Sequence, residues 1–199
     1  MKTITKTIKV YSFSELPEDI QEKIVSNWRS NEEYFSDSDN TSTLYKFCDI
    51  FGLKVINYEY GYRNFINFAL ESHNSEDIEN FSPFRLRTYI INNFYNILFP
   101  KKYYKHIAGK PVFYNLIRSD FPNLTGYYLD SDICQPIYEF LKKPYQITFY
   151  DLMYDCLQSW VYACNKDFEY WFSLEAIKED ITNNDYLFTE TGEIYYENL

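Results

Sequence analysis

The stretch TFYDLMYDCLQSWVYACNKDFEYWFSLEAIKED, residues 148–180, decides the fold class. Phe149, Leu152, Met153, Cys156, Trp160, Cys164, Phe168 and Phe172 recur every three or four residues, so they line one face of a helix and face a core. Thr148 and Asp151 have capping-box spacing, which predicts a start at Phe149 with an acid in the first turn, where the helix dipole favours it. Asp151, Asp155, Ser159, Tyr162, Lys166 and Glu169 fall on the opposite, solvated side. Ser173 is placed to cap a second, shorter helix through Asp180. Tyr186-Leu187-Phe188 then faces Ile194-Tyr195 across Glu190-Thr191-Gly192, a three-residue turn ending in glycine.

Working outward, Ile4 to Tyr11 alternates in the manner of a strand, and Pro17 opens a helix with Ile20, Ile24, Val25 and Trp28 as its apolar stripe. Residues 31–42 read as a solvated loop, with Ser42 capping a helix that ends at Gly52. Leu53–Tyr60 and Asn64–Leu70 alternate around Gly61-Tyr62-Arg63 and predict a hairpin, and Ser82-Pro83 opens a helix to about Leu98. Pro100 to Lys110 reads as a basic loop, Val112–Arg118 and Thr125–Leu129 as a second hairpin. Ser131 or Asp132 opens a helix to Lys143 with Pro136 in its first turn. Antiparallel hairpins mixed with about five to six helices, without βαβ alternation, predict one compact α+β domain over residues 1–199. Pro100 to Lys110 is the place where an N-terminal lobe, 1–99, would part from an acidic lobe, 111–199.

The 199 residues include 22 Tyr and 17 Phe, 21% aromatic overall, enough for a substantial core. Cys48, Cys134, Cys156 and Cys164 have no paired-ligand spacing and read as reduced core residues. Nowhere is there an apolar run of roughly 18 residues, and the N-terminus has no signal-peptide pattern, so a soluble, cytoplasmic protein is expected. Charge is uneven: residues 121–199 carry 14 acids against 4 bases, within a total of −10, while no acid occurs between Asn80 and Ser119. The basic residues there, Arg85, Arg87, Lys101, Lys102, Lys105, Lys110 and Arg118, could dock a strand, but the overall charge opposes approach of a polyanion.

Catalytic signatures are missing. His73 sits in a polar loop and His106 beside Lys105, both in surface settings. With 5 Gly and no phosphate loop, HExxH or GxSxG, the pattern supplies no catalytic, cofactor-binding or metal set. The carboxylate pairs Asp130/Asp132, Asp151/Asp155 and Asp167/Glu169 match what chance supplies among 29 acids. A binding protein, not an enzyme, is expected.

Two segments carry a resemblance. Val10-Tyr11-Ser12-Phe13-Ser14-Glu15-Leu16-Pro17 with the acidic helix start that follows, and the closing Glu169-Tyr170, Ser173, Glu175 and Asn184-Asp185-Tyr186-Leu187-Phe188-Thr189-Glu190-Thr191-Gly192 segment, resemble a family of small phage and prophage accessory proteins, some of antitoxin-like label. The resemblance implies a phage or mobile-element setting and a stoichiometric counter-defence inhibitor of anti-CRISPR or antirestriction type. Its partner would be a host nucleic-acid-binding protein or nuclease complex, met through exposed members of Asp130, Asp132, Asp151, Asp155, Asp167, Glu169, Asp185, Glu190 and Glu193. Tyr162, Tyr170 and Tyr195 are the expected aromatic anchors. An antitoxin-like or regulatory binder, or a direct nucleic-acid binder using the basic 85–118 region, is the alternative, and a homodimer is compatible with either.

Overall fold

The computed structural model describes residues 7–31, 33–71, 78–100, 102–107, 110–114, 122 and 124–196. In chain order they form β1 (Tyr11–Ser12), α1 (Glu18–Asn31), α2 (Asp37–Phe51), β2 (Leu53–Glu59), β3 (Phe65–Leu70), α3 (Pro83–Leu98), β4 (Lys102–Ile107), β5 (Lys110–Tyr114), α4 (Leu129–Lys142), α5 (Phe149–Trp171), α6 (Leu174–Asn183) and β6 (Leu187–Phe188). The fold is α+β, with three two-stranded antiparallel sheets pairing β1 with β6, β2 with β3, and β4 with β5. The chain divides into two units: residues 1–34 with 167–199, and residues 35–166. The first unit therefore joins the two ends of the chain. α5 contributes to both, changing units at Asp167.

In the first unit, α1 and α6 bury Ile24, Val25, Ile177 and Ile181 against Phe13, Leu16 and Phe188. Ser12 donates its backbone N–H (2.8 Å) and its hydroxyl (2.9 Å) to the Glu15 carboxylate, closing a turn at the start of the Phe-Ser-Glu-Leu-Pro segment. The strand expected over Ile4–Tyr11 is shorter in its described part: pairing covers only Tyr11 and Ser12, because the partner β6 offers only Phe188 and Leu187, and residues 7–10 carry no regular structure. The closing hairpin follows the expected turn. Thr189 N–H bonds Glu193 C=O at 2.8 Å, Gly192 N–H bonds Thr189 C=O at 3.0 Å, and Gly192 takes φ +82°. A Cβ at Gly192 would stand 3.1 Å from carbons of Ile20 and Ile24, so the missing side chain also lets the turn close on α1. Ser173 caps α6 by accepting the Ala176 N–H, and the helix ends with Asp185 at φ +52° and Tyr186 N–H reaching back to Ile181 C=O.

The second unit holds the larger core, in which Trp160, Phe47, Phe140 and Phe149 are fully buried, as are Cys134, Cys156 and Cys164 with Cys48 nearly so. The Trp160 indole donates to Asn40 C=O at 3.0 Å, with Tyr58 and Tyr60 meeting its ring edge-on. α3, the β2–β3 hairpin and the start of α5 at Phe149 fall as the sequence predicts, and Asp151 N–H does bond Thr148 Oγ1 at 3.0 Å.

Four expectations need correction here. The solvated loop over 31–42 gives way at Asp37 to α2, and Ser42 lies inside the helix: its hydroxyl bonds Ser38 C=O at 2.7 Å and that of Thr41 bonds Asp37 C=O at 2.8 Å, so the hydroxyls are satisfied within the helix. The basic loop 100–110 contains β4, and β5 pairs with that near neighbour in sequence, not with residues 125–129. α4 begins at Leu129, two residues before Ser131, because the Asp130 carboxylate binds back onto the preceding turn. Pro136 consequently lies beyond the first turn. Lacking an N–H, it leaves Asp132 C=O without its helical donor, and the Ser159 hydroxyl takes that place at 2.7 Å.

Candidate docking surface

The nine carboxylates singled out by sequence fall on both sides of the unit boundary. Asp130, Asp132, Asp151 and Asp155 lie in the second unit; Asp167, Glu169, Asp185, Glu190 and Glu193 lie in the first. Asp130 is no surface group. It is 1% exposed, and its oxygens accept from the backbone N–H groups of Thr125 (2.9 Å), Gly126 (2.8 Å) and Leu124 (3.2 Å) and from the Thr125 hydroxyl (2.7 Å). Those donors replace water around a buried charge, so Asp130 holds the turn before α4 together and cannot meet a partner.

The other three in the second unit reach solvent to different degrees. Asp132 is half-buried, and that burial raises its carboxyl above the ordinary range, against the pull of its own helix backbone and of Lys166. Asp151 and Asp155 stand one turn apart on the exposed ridge of α5. Burial first, and the Asp151 charge second, raise the Asp155 carboxyl. The same ridge carries Tyr154 and Tyr162, the latter 61% exposed with the Lys166 ammonium 4.5 Å from its ring centre. This ridge is thus mixed in charge.

In the first unit Asp167 is half-buried and accepts the Tyr34 hydroxyl, while Glu169, Asp185, Glu190 and Glu193 are exposed. Asp185, Glu190 and Glu193 have no ion-pair partner among the described residues, where ion pairs join Lys46 to Asp49 and Lys142 to Glu139. Three further exposed acids, Glu175, Glu179 and Asp180 on α6, belong with them. Sequence reasoning passed over these, although their spacing opposite Ile177 and Ile181 on a capped helix marks them as solvated. Of the expected anchors, Tyr170 is 54% exposed beside Glu169, whereas Tyr195 is half-buried.

Counted by unit, the charge separates sharply. The first unit holds 15 acids against 6 bases, a formal −9, and the second 14 against 13, a formal −1. The basic residues of the 85–118 region lie in the second unit: Arg85 covers the Phe81 ring at 4.2 Å, Arg87 donates to Leu141 C=O at 3.0 Å, and Lys102, Lys105 and Lys110 belong to β4 and β5. Lys101, Arg118 and His73 lie outside the described residues; His106 sits in β4. No group of three or more metal-ligating side chains occurs among the described residues, and no helix there is long and apolar enough to cross a membrane. No family model, curated protein or solved structure matches the chain.

Proposed function

We propose that the chain is a stoichiometric counter-defence inhibitor, of anti-CRISPR or antirestriction type, which docks its acid-rich unit on the Lys/Arg-lined nucleic-acid channel of a host protein. The observation that carries the reading is the separation of charge: −9 of the formal −10 belongs to the unit formed by the chain's two ends, on side chains that largely face solvent. Such a field steers a basic partner into encounter and repels nucleic acid that competes for the same channel. Tyr170, exposed beside Glu169 and Glu179, supplies the desolvated anchor that charge alone does not. The antitoxin-like alternative uses the same surface against a co-encoded toxin.

The test is phage plating on bacteria armed with a CRISPR or restriction system and expressing the chain. Wild type raises plating efficiency on at least one defended strain, and the variant Glu169→Gln, Asp185→Asn, Glu190→Gln, Glu193→Gln does not. Equal plating with wild type and variant, or no rise with wild type on any defended strain, overturns the reading.

A second reading follows from one observation. The basic residues expected in a loop instead lie in the β4–β5 hairpin, and a two-stranded ribbon is an element that enters nucleic-acid grooves. It requires a gel shift that charge reversal at Lys102 and Lys105 abolishes.

A further inference from the structure

The first unit contains a cleft of about 580 Å³, within the range that small-ligand sites occupy. One wall is α1. Lys23, Asn27 and Asn31 follow one another at i, i+4 and i+8, a polar ladder roughly 12 Å long at the helical rise, with Ile24 and Trp28 as an apolar line beside it. Aromatic rings from α1 and from the closing segment line the cleft together. Trp28 and Tyr186 meet edge to face at 5.1 Å between ring centres, and Tyr196, 70% exposed, lines the same space.

The polar groups are unevenly occupied. The Lys23 ammonium donates to Thr191 C=O at 2.9 Å and so is tied to the hairpin turn. The carboxamides of Asn27 and Asn31, in contrast, have no hydrogen-bond partner among the described residues, and both line the cleft. A carboxamide offers a donor pair and an acceptor side by side, the pattern that matches the edge of a heterocyclic base, while flat rings offer it a stacking face. Glu193 at the hairpin side can accept from sugar hydroxyls or an exocyclic amine.

We infer that this cleft binds a neutral nucleoside, its base stacked on the aromatic wall and its edge read by Asn27 and Asn31. Neutrality follows from charge: the surrounding unit is formally −9, so a phosphate is repelled, and Lys23, the one cation among the described residues lining the cleft, is already bound to a carbonyl. Glu193 is shared with the docking proposal, but Asn27, Asn31 and Tyr196, on which the test rests, carry none of the charge on which docking depends.

The experiment titrates the intact, isotopically labelled protein with adenosine, guanosine, cytidine and uridine, and separately with their 5′-monophosphates. Side-chain amide shifts of Asn27 and Asn31 and the Trp28 indole shift report occupancy. At least one nucleoside should saturate these shifts with a Kd on the order of 10 μM to 1 mM. Its monophosphate should bind more weakly at low salt. Asn31→Ala and Tyr196→Ala should each raise Kd about fivefold or more, without moving the thermal midpoint, because both residues are exposed. Absence of saturable shifts with all four nucleosides overturns the inference, as does binding that neither substitution weakens. A monophosphate bound as tightly as its nucleoside at low salt overturns the assignment of a neutral ligand.

Discussion

The unit built from the two ends of the chain carries 15 acids against 6 bases on a small core, whereas the unit between them carries 14 against 13 around a much larger one. Phe13, Leu16, Ile24, Val25, Ile177, Ile181 and Phe188 are the buried apolar cluster of the first; the second buries Trp160, Phe140 and four cysteines among many others. Concentrated like charge opposes compaction, so the charged unit is held with the smaller apolar contribution and the greater self-repulsion. Under the docking proposal, the near-neutral unit supplies stability and the charged one supplies encounter. A carboxylate's role then depends on its burial and hydrogen-bond partners, not on its residue type. Asp130, buried and fully hydrogen-bonded, organises a turn in the second unit, while Glu190 and Glu193 stand open in the first.

The largest effect that would break this contrast comes from Gly192→Ala. The φ of +82° disfavours any side chain, and the added Cβ would crowd Ile20 and Ile24, so a loss of about 2 kcal/mol is expected. Hydrogen exchange should register it in α1 and α6 while protection in α4 stays unchanged; equal loss of protection in both units would mean they are not independent in stability.

A smaller effect sharpens the picture of the second unit. Ser159→Ala strips Asp132 C=O of its donor and should cost about 1 kcal/mol in denaturant unfolding. In a Pro136→Ala background, the new backbone N–H can reach that carbonyl, and the cost of Ser159→Ala should disappear. An identical cost in both backgrounds would refute the substitution of a hydroxyl for the missing amide.

The smallest effect is at Asp155. Burial and the neighbouring Asp151 raise its carboxyl in the folded state, so the stability it contributes is fully present below the unfolded carboxyl range, near roughly pH 4, and is lost as pH rises through the folded value. Asp155→Asn should therefore stabilise at pH 7, by less than about 1 kcal/mol because the group is largely solvated, and change little at pH 3. Urea midpoints at the two pH values check this, and an equal gain at both would show that charge is not the cause.

The fold was legible where one signal dominated. The apolar period of α5, Ser173 as a cap, Pro83 at the start of α3 and Gly192 in the last turn each specify local structure without help from distant residues. It was not legible where side chains replace backbone partners. A Ser/Thr/Asp-rich segment reads as loop until its hydroxyls are seen bonding carbonyls one turn back, as Thr41 and Ser42 do in α2. Pro136 reads as a helix-start residue until Ser159, 23 residues further on, is found bonding Asp132 C=O. The lysines of β4 outweigh the β-forming Tyr103 and Tyr104 between them, and so the first strand of this hairpin reads as loop, while Val112 onward reads as a strand with the wrong partner. For the candidate surface, blocks of sequence located the acidic bias but not its partition. Which acids share a unit depends on β1 pairing with β6, residues some 175 positions apart, and no periodicity reports that.

The most direct measurement is capture of partners from a host lysate at low and then high salt, using wild type and two amide variants. One variant replaces Glu169, Asp185, Glu190 and Glu193 in the first unit; the other replaces Asp151 and Asp155 in the second. The account predicts a nucleic-acid-handling protein retained by wild type at low salt, released at high salt, lost from the first variant and kept by the second. Undiminished, salt-resistant capture of that protein by the first variant would contradict it.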